Sequence, residues 1–292
     1  MTLAELLGAV AGLSGLLFVV TSMLGMGASL TMPMILQPLK NARLVILALV
    51  ANFILVPALA YLITVVLPMS QDLKTGLIVL GCAAGAPFLP KLAQQAKGSL
   101  GFSVGIMVLL MVVSIFYIPI VLPLLLQGVT VNPWDIAQSL IVLMLVPLAI
   151  GLLIRSHSAE DGDHWKQLMN RISSVAILIM LVTALALNVS NIIGFIGSWG
   201  LLAMVIFVAG SLLIGILLGG RDPGVRAVMG LGTAMRNISA AIVVITQNFA
   251  GTDTLPYALV AAIIFLLILM PTAKRMGGKQ EVPTAQSAAP QA

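Results

Sequence analysis

Long charge-free apolar stretches recur along the chain, each closed by charged or turn-forming residues, and none alternates polar with apolar positions. A helix that crosses a bilayer needs about 20 mostly apolar residues. Nine stretches qualify: 6–36, 43–67, 74–97, 99–127, 136–154, 170–190, 198–219, 225–249 and 254–273. The uncharged run from Ile172 to Gly220 is too long for one crossing. It divides at Asn188-Val189-Ser190-Asn191, where helix-unfriendly residues cluster ahead of Gly194 and Gly197. A membrane β-barrel would require alternating polarity, so the pattern predicts an all-α integral membrane protein of nine transmembrane helices. Residues 1–273 form the transmembrane domain. The polar, small-residue segment 274–292 reads as a disordered tail.

Composition agrees. Of 292 residues, 60% are hydrophobic and 8% charged, which excludes an ordinary soluble enzyme. The net charge of +5 bears on membrane orientation rather than on nucleic acid. Cys82 is the sole cysteine and shares no metal-ligand spacing with His157 or His164, so neither a disulfide scaffold nor a metal site is expected, and no cofactor is implied. The first 36 residues carry Glu5 in place of a basic n-region and are read as retained structure. No paired carboxylates, His-Glu-x-x-His sequence or Ser/His couple lies within the spans, so an enzyme is not expected.

With the amino terminus outside, the inner connections hold Lys40, Arg43, Lys97, Arg155, Lys166, Arg171, Arg221, Arg226, Lys274, Arg275 and Lys279, and the outer ones hold only Lys74. That asymmetry predicts a cytoplasmic carboxyl terminus and suits a bacterial plasma membrane. A hairpin hidden in the long first stretch would move the amino terminus inside and change nothing downstream.

Two cations remain within spans, Lys91 and Arg236, and every acidic residue falls in a loop, a tail or a span end. Intramembrane cations without a protein anion fit a site whose missing charge comes from a bound anion. Lys91 follows Gly85, Pro87 and Pro90, and Arg236 follows Gly230 and Gly232, so both spans are expected to break there. Interrupted helices are how membrane transporters hold substrates near the midplane. The third and eighth spans run in opposite senses five spans apart. That predicts an inverted repeat pairing spans 2–4 with 7–9 and span 1 with span 6. Two structural readings stand beside this one. Lys91 lies close enough to the span end to snorkel to the interface, and Arg236 could donate to carbonyls freed by the breaks. Asn52 and Asn237 read equally as ligand groups or as helix–helix glue. The sixteen methionines read as packing filler.

The stretch Gly81-Cys82-Ala83-Ala84-Gly85 through Leu92-Ala93-Gln94-Gln95-Ala96-Lys97-Gly98, with Phe102-Ser103-Val104, resembles the first crossover region of the sodium/bile acid symporter (BASS) family. Met235-Arg236-Asn237 with Ser239-Ala240-Ala241 resembles the second. Weaker likeness covers Leu24-Gly25-Met26-Gly27 and Asn52-Phe53 to Pro57. The resemblance implies a core of spans 2, 3, 4, 7, 8 and 9 (about 43–127 and 198–273), with broken helices 3 and 8 crossing. A panel of spans 1, 5 and 6 (about 6–36 and 136–190) would complete it, with alternating access by relative movement of the two. It also implies departures. Leu89 and Pro90 stand where the family has a sodium-liganding Ser-Asn, Met107 where it has threonine, Gly232 where it has glutamate, and Arg236 and Asn52 where it has glutamine; Ser103 is kept.

The expectation is a secondary transporter or facilitator of a small organic anion, independent of sodium. Arg236 would clamp the anion and stand in for the metal ion, Lys91 would add charge, and Asn237, Thr233 and Asn52 would orient the ligand. The alternatives are a sodium-coupled organic anion symporter of the same family, with proton coupling also open, and an anion sensor that does not transport.

Overall fold

The computed structural model describes residues 3–36, 40–126, 132–187 and 198–278, all helix and connecting turns, with no strand among them. In chain order the helices are α1 (Leu3–Ser29), α2 (Ala42–Val66), α3 (Gln71–Cys82), α4 (Leu89–Gln95), α5 (Leu100–Leu125) and α6 (Pro133–His157). They continue with α7 (Ala159–Leu187), α8 (Trp199–Leu218), α9 (Pro223–Ala234), α10 (Ile238–Asn248) and α11 (Thr254–Gly278).

Among the described residues seven helices, not nine, are long and apolar enough to cross a membrane: α1, α2, α5, α6, α8, α11 and the run Pro223–Asn248. The chain is an integral membrane protein. The other two expected spans fall short for physical reasons. The third is split into α3 and α4, each too short alone, and α7 opens on a charged stretch, Glu160 to Arg171, before turning apolar. The first stretch is one helix to Ser29 followed by a short turn of helix, Met32–Leu36, with no hairpin. At the other end α11 continues through Lys274 and Arg275 to Gly278, five residues beyond the expected limit of 273. The division at residues 188–191 and the tail from 279 lie outside the described residues.

Two bodies of helices result. Helices α1, α6 and α7 pack on one another, and α2–α5 pack with α8–α11. The first body is joined by glycines. A β-carbon on Gly27 would overlap the Leu148 carbonyl and one on Gly151 the Leu24 carbonyl, so α1 and α6 meet backbone to backbone, as small residues permit in membranes. Gly151→Ala must push the two helices apart. Overpacking of this kind costs about 1–3 kcal/mol, which should register as a melting temperature several degrees lower in detergent.

The second body contains two units of the same order: a twelve-residue helix, a break, a shorter helix and a long helix, namely α3–α4–α5 and α9–α10–α11. Each unit touches the other at the same place. Asp72, at the start of α3, accepts the Asp253 N–H (3.0 Å) and the Thr254 hydroxyl (3.3 Å) at the start of α11. Gly224, at the start of α9, accepts the Ser99 N–H (3.4 Å) at the start of α5.

Two prolines explain local geometry. Pro57 has no N–H for the Phe53 carbonyl four residues back, and α2 widens into a π-turn over Ala51–Leu55 just before it. The orphaned carbonyl accepts the Tyr117 hydroxyl of α5 at 2.6 Å. The same widening, Ile141–Leu145, precedes Pro147 in α6.

Candidate functional site

The breaks between α3 and α4 and between α9 and α10 leave buried backbone groups that must find partners. Three residues supply most of them: Asn237, Ser114 and Arg236. The Asn237 N–H donates to the Ala83 carbonyl (2.8 Å) and its Nδ2 to the Gly85 carbonyl (3.1 Å), while its Oδ1 caps α10 by accepting the Ala240 N–H (3.1 Å). Ser114 of α5 accepts the Ala84 N–H (2.9 Å) and donates to the Ala84 carbonyl (3.2 Å). Gly85 sits at φ +79°, a left-handed conformation that favours glycine.

Arg236 completes the arrangement. It is 0% exposed, and its side chain spans the carboxyl-terminal ends of both broken helices. Nε donates to the Leu80 carbonyl (3.0 Å) and Nη2 to the Gly81 carbonyl (2.8 Å) at the end of α3. Nη1 donates to the Thr233 carbonyl (3.1 Å) at the end of α9 and to Asn52 Oδ1 (2.8 Å). Asn52 is turned inward by the π-turn and donates through Nδ2 to the Ala48 carbonyl (3.0 Å) and to Thr233 Oγ1 (3.4 Å). Helix carboxyl termini carry about half a unit of negative charge each. The guanidinium therefore stands where two such ends converge.

The structure brings together four of the five expected site residues, Arg236, Asn237, Thr233 and Asn52, and leaves Lys91 apart. Lys91 is exposed, near the start of α4, with its ammonium 5.3 Å from the centre of the Phe88 ring. The guanidinium donates to three backbone carbonyls freed by the breaks and to Asn52 Oδ1, and Arg236 also lines the cavity beside the breaks. Among the expected breakpoints, Gly85 and Pro87 lie in the first break. Pro90 instead occupies the first turn of α4, where its missing N–H costs no bond. Gly232 is helical, and the second break comes three residues later at Met235–Asn237. Gly232 serves packing: a β-carbon there would lie 2.9 Å from Leu89 Cδ2. Leu89 and Met107 are both buried, so hydrocarbon fills positions where the resemblance implied oxygen ligands.

Beside the breaks lies a cavity of about 420 Å³. Its walls include Phe18 and Ser22 of α1, Ser174 and Ile177 of α7, Pro87 and Phe88 of the first break, Met235, Arg236 and Ser239 at the second, and Leu259 and Ile263 of α11. It is mostly apolar, with three serine hydroxyls, and it separates the two bodies. Sequence reasoning missed Ser22, Ser174, Ser114 and Tyr117. Of these only Tyr117 had a sequence signal behind it, the carbonyl that Pro57 strands.

The profile of the Sodium Bile acid symporter family matches residues 16–195, and the chain belongs to that family. It is 22% identical over 243 residues to "Probable sodium/metabolite cotransporter BASS3, chloroplastic" of Arabidopsis thaliana, covering 81% of this chain and 56% of that protein. It is 21% identical over 249 residues to "Uncharacterized sodium-dependent transporter YocS" of Bacillus subtilis, covering 81% of this chain and 75% of the relative. A rice protein, "Probable sodium/metabolite cotransporter BASS2, chloroplastic", is 28% identical over 165 residues, or 56% of this chain and 38% of that one. The chain spans little more than half the length of the plant BASS3 proteins it matches.

Proposed function

We propose that this protein is a secondary transporter of a small organic anion that works without sodium, by alternating access between a core (α2–α5 and α8–α11) and a panel (α1, α6 and α7). One observation carries the reading: a fixed guanidinium bridges the carboxyl-terminal carbonyls of both broken helices, the place where a transporter of this class would hold a coupling cation. A mobile cation there would sit within a few ångströms of the guanidinium and be repelled by several kcal/mol at an effective dielectric near 20. With the negative helix ends neutralised, the positive amino-terminal end of α10 remains to face the cavity. The anion lies in that cavity, contacted by the serines and the start of α10, and Arg236 acts on it through its field. The apolar walls favour an anion with a compact hydrocarbon body, and the volume is at the small end for a ligand pocket.

In this reading the chain crosses the membrane nine times, with α3–α4 and α7 completing the count, and the α3–α4–α5 and α9–α10–α11 units are an inverted repeat. The basic connections lie in the cytoplasm, and α4 and α10 extend from the midplane to the inner and outer faces respectively.

The names of the relatives favour a second reading, sodium-coupled transport of the same kind of anion. Purified protein in vesicles decides between them. Uptake of radiolabelled benzenesulfonate, which stays ionised and cannot leak across as a neutral acid, should be unchanged when choline replaces external sodium. Collapse of uptake in choline would establish the coupled reading.

A further inference from the structure

The two short half-helices next to the cavity are packed differently, and the difference fixes the state of the molecule. Helix α10 rests against the panel, on α1 and on the first turns of α6, and Ile242, Val243, Val244 and Ile245 are all buried. Helix α4, its counterpart in the other unit, packs on α5, α9 and α11 of the core, and Lys91 and Gln94 stand exposed. The α10 side is therefore covered by the panel, and the α4 side is the one the panel leaves uncovered. In the orientation proposed above, that is the inward-facing state. Exchange of roles between the two units gives the outward-facing state, with α4 docked on the panel as α10 is here.

Lys91 obstructs that docking. Its ammonium lies over Phe88, a wall of the cavity, so closure carries it from water into the interface between core and panel. Among the described residues no carboxylate of the panel lines the cavity. The panel's acids are near helix starts: Glu5 in the first turn of α1, Asp135 in that of α6, and Glu160, Asp161 and Asp163 at the start of α7, with Asp163 already paired to Arg155 at 2.7 Å. The first cavity-lining residue of α7 is Ser174, three helical turns beyond Asp163. Arg236 raises no such obstacle, because its hydrogen bonds all lie within the core and travel with it. A buried cation without a counter-charge is strongly disfavoured. An anion in the cavity, next to Phe88, would supply that charge.

We infer that the loaded carrier crosses readily and the empty carrier does not, so that the protein is an anion exchanger: one anion must be bound on each passage, and Lys91 enforces it. This rests on the transporter reading above and goes beyond it in the mode of transport.

The experiment uses vesicles containing the full-length protein, preloaded with radiolabelled benzenesulfonate. Efflux is measured into buffer without the anion and into buffer with unlabelled benzenesulfonate outside. For the wild type, efflux into the anion-containing buffer should be faster by at least about tenfold, equivalent to about 1.4 kcal/mol on the return of the empty carrier. In Lys91→Gln the ratio should fall to about twofold or less through faster efflux into empty buffer, and Lys91→Arg, which keeps the charge, should retain the wild-type ratio. Equal wild-type rates in the two buffers would overturn the exchanger, as would a Lys91→Gln ratio as high as the wild type's. Absence of protein-dependent flux in either buffer would overturn the transporter reading itself and the exchanger with it.

Discussion

Replacing Arg236 with methionine is expected to lower the melting temperature of the detergent-solubilised protein by on the order of 10 °C and to abolish anion flux. Methionine fits the volume but donates nothing. The Leu80, Gly81 and Thr233 carbonyls and Asn52 Oδ1 would then all lose a donor inside a buried site. Each stranded acceptor costs about 1–3 kcal/mol, and a loss beyond about 4 kcal/mol is exceptional for a single substitution. Arg236→Lys should recover only part of it. One ammonium has three donors on a single atom, whereas the guanidinium reaches acceptors on three helices from three nitrogens. Arg236→Gln isolates the charge. It keeps an amide donor near the carbonyls, so it should fold better than the methionine variant and still lose flux by tenfold or more. With the guanidinium gone, the converging helix ends become open to a mobile cation. Sodium should therefore raise the melting temperature of Arg236→Gln and leave that of the wild type unchanged. A methionine variant that melts within about two degrees of the wild type would remove the guanidinium from its place at the centre of the fold.

The part of this site that sequence alone revealed was the part that violates membrane chemistry. A cation ten residues inside an apolar span has no cheap explanation, so Arg236 stood out without any structure. The clustering of Gly85 and Pro87 likewise announced the first break. What sequence could not supply was the destination of the donors. A guanidinium opposite an anion and a guanidinium opposite backbone carbonyls look the same in a one-dimensional string, because every residue contributes a carbonyl. The choice depends on the carboxyl-terminal ends of α3 and α9 both lying within reach of Arg236, which no local pattern encodes. Lys91 shows the converse. It is six residues from Lys97 and shares its charge with Arg236, yet α4 leaves it exposed with its ammonium over the Phe88 ring.

Gly232 shows the same limit: the sequence suggests a break there, and the residue lies within α9. A glycine in a membrane helix marks either a break or a close approach, and the local sequence is the same for both. Here it is an approach, with Leu89 laid against it. The count of spans was legible from hydropathy wherever a helix is continuous. At α3–α4, where the break divides the apolar run, and at α7, where charge occupies the first turns, no single described helix is long and apolar enough to cross alone.

The contrast between the two glycines gives the second large effect. Gly85→Ala should prevent accumulation of folded protein or lower its melting temperature by on the order of 10 °C, while Gly232→Ala should shift it by only a few degrees. Two costs add at Gly85. Its φ of +79° is reached by alanine only at a penalty of about 1–2 kcal/mol. In addition a β-carbon there would overlap the Met111 amide nitrogen and lie 2.6 Å from Met111 Cα. Both atoms belong to the backbone of α5 and cannot turn aside, so the first break must pull away from α5. That movement would strain the Ser114 bonds to Ala84 and the Asn237 bond to the Gly85 carbonyl. The damage therefore spreads to the second break, through Asn237, and to the place where Arg236 meets the end of α3. At Gly232 the backbone is helical, and the nearest atom is the tip of a leucine that can change rotamer. Parallel melting curves of the two alanine variants check the comparison. Equal stability of the two would mean that the close approach of the first break to α5 is not what holds the two breaks together.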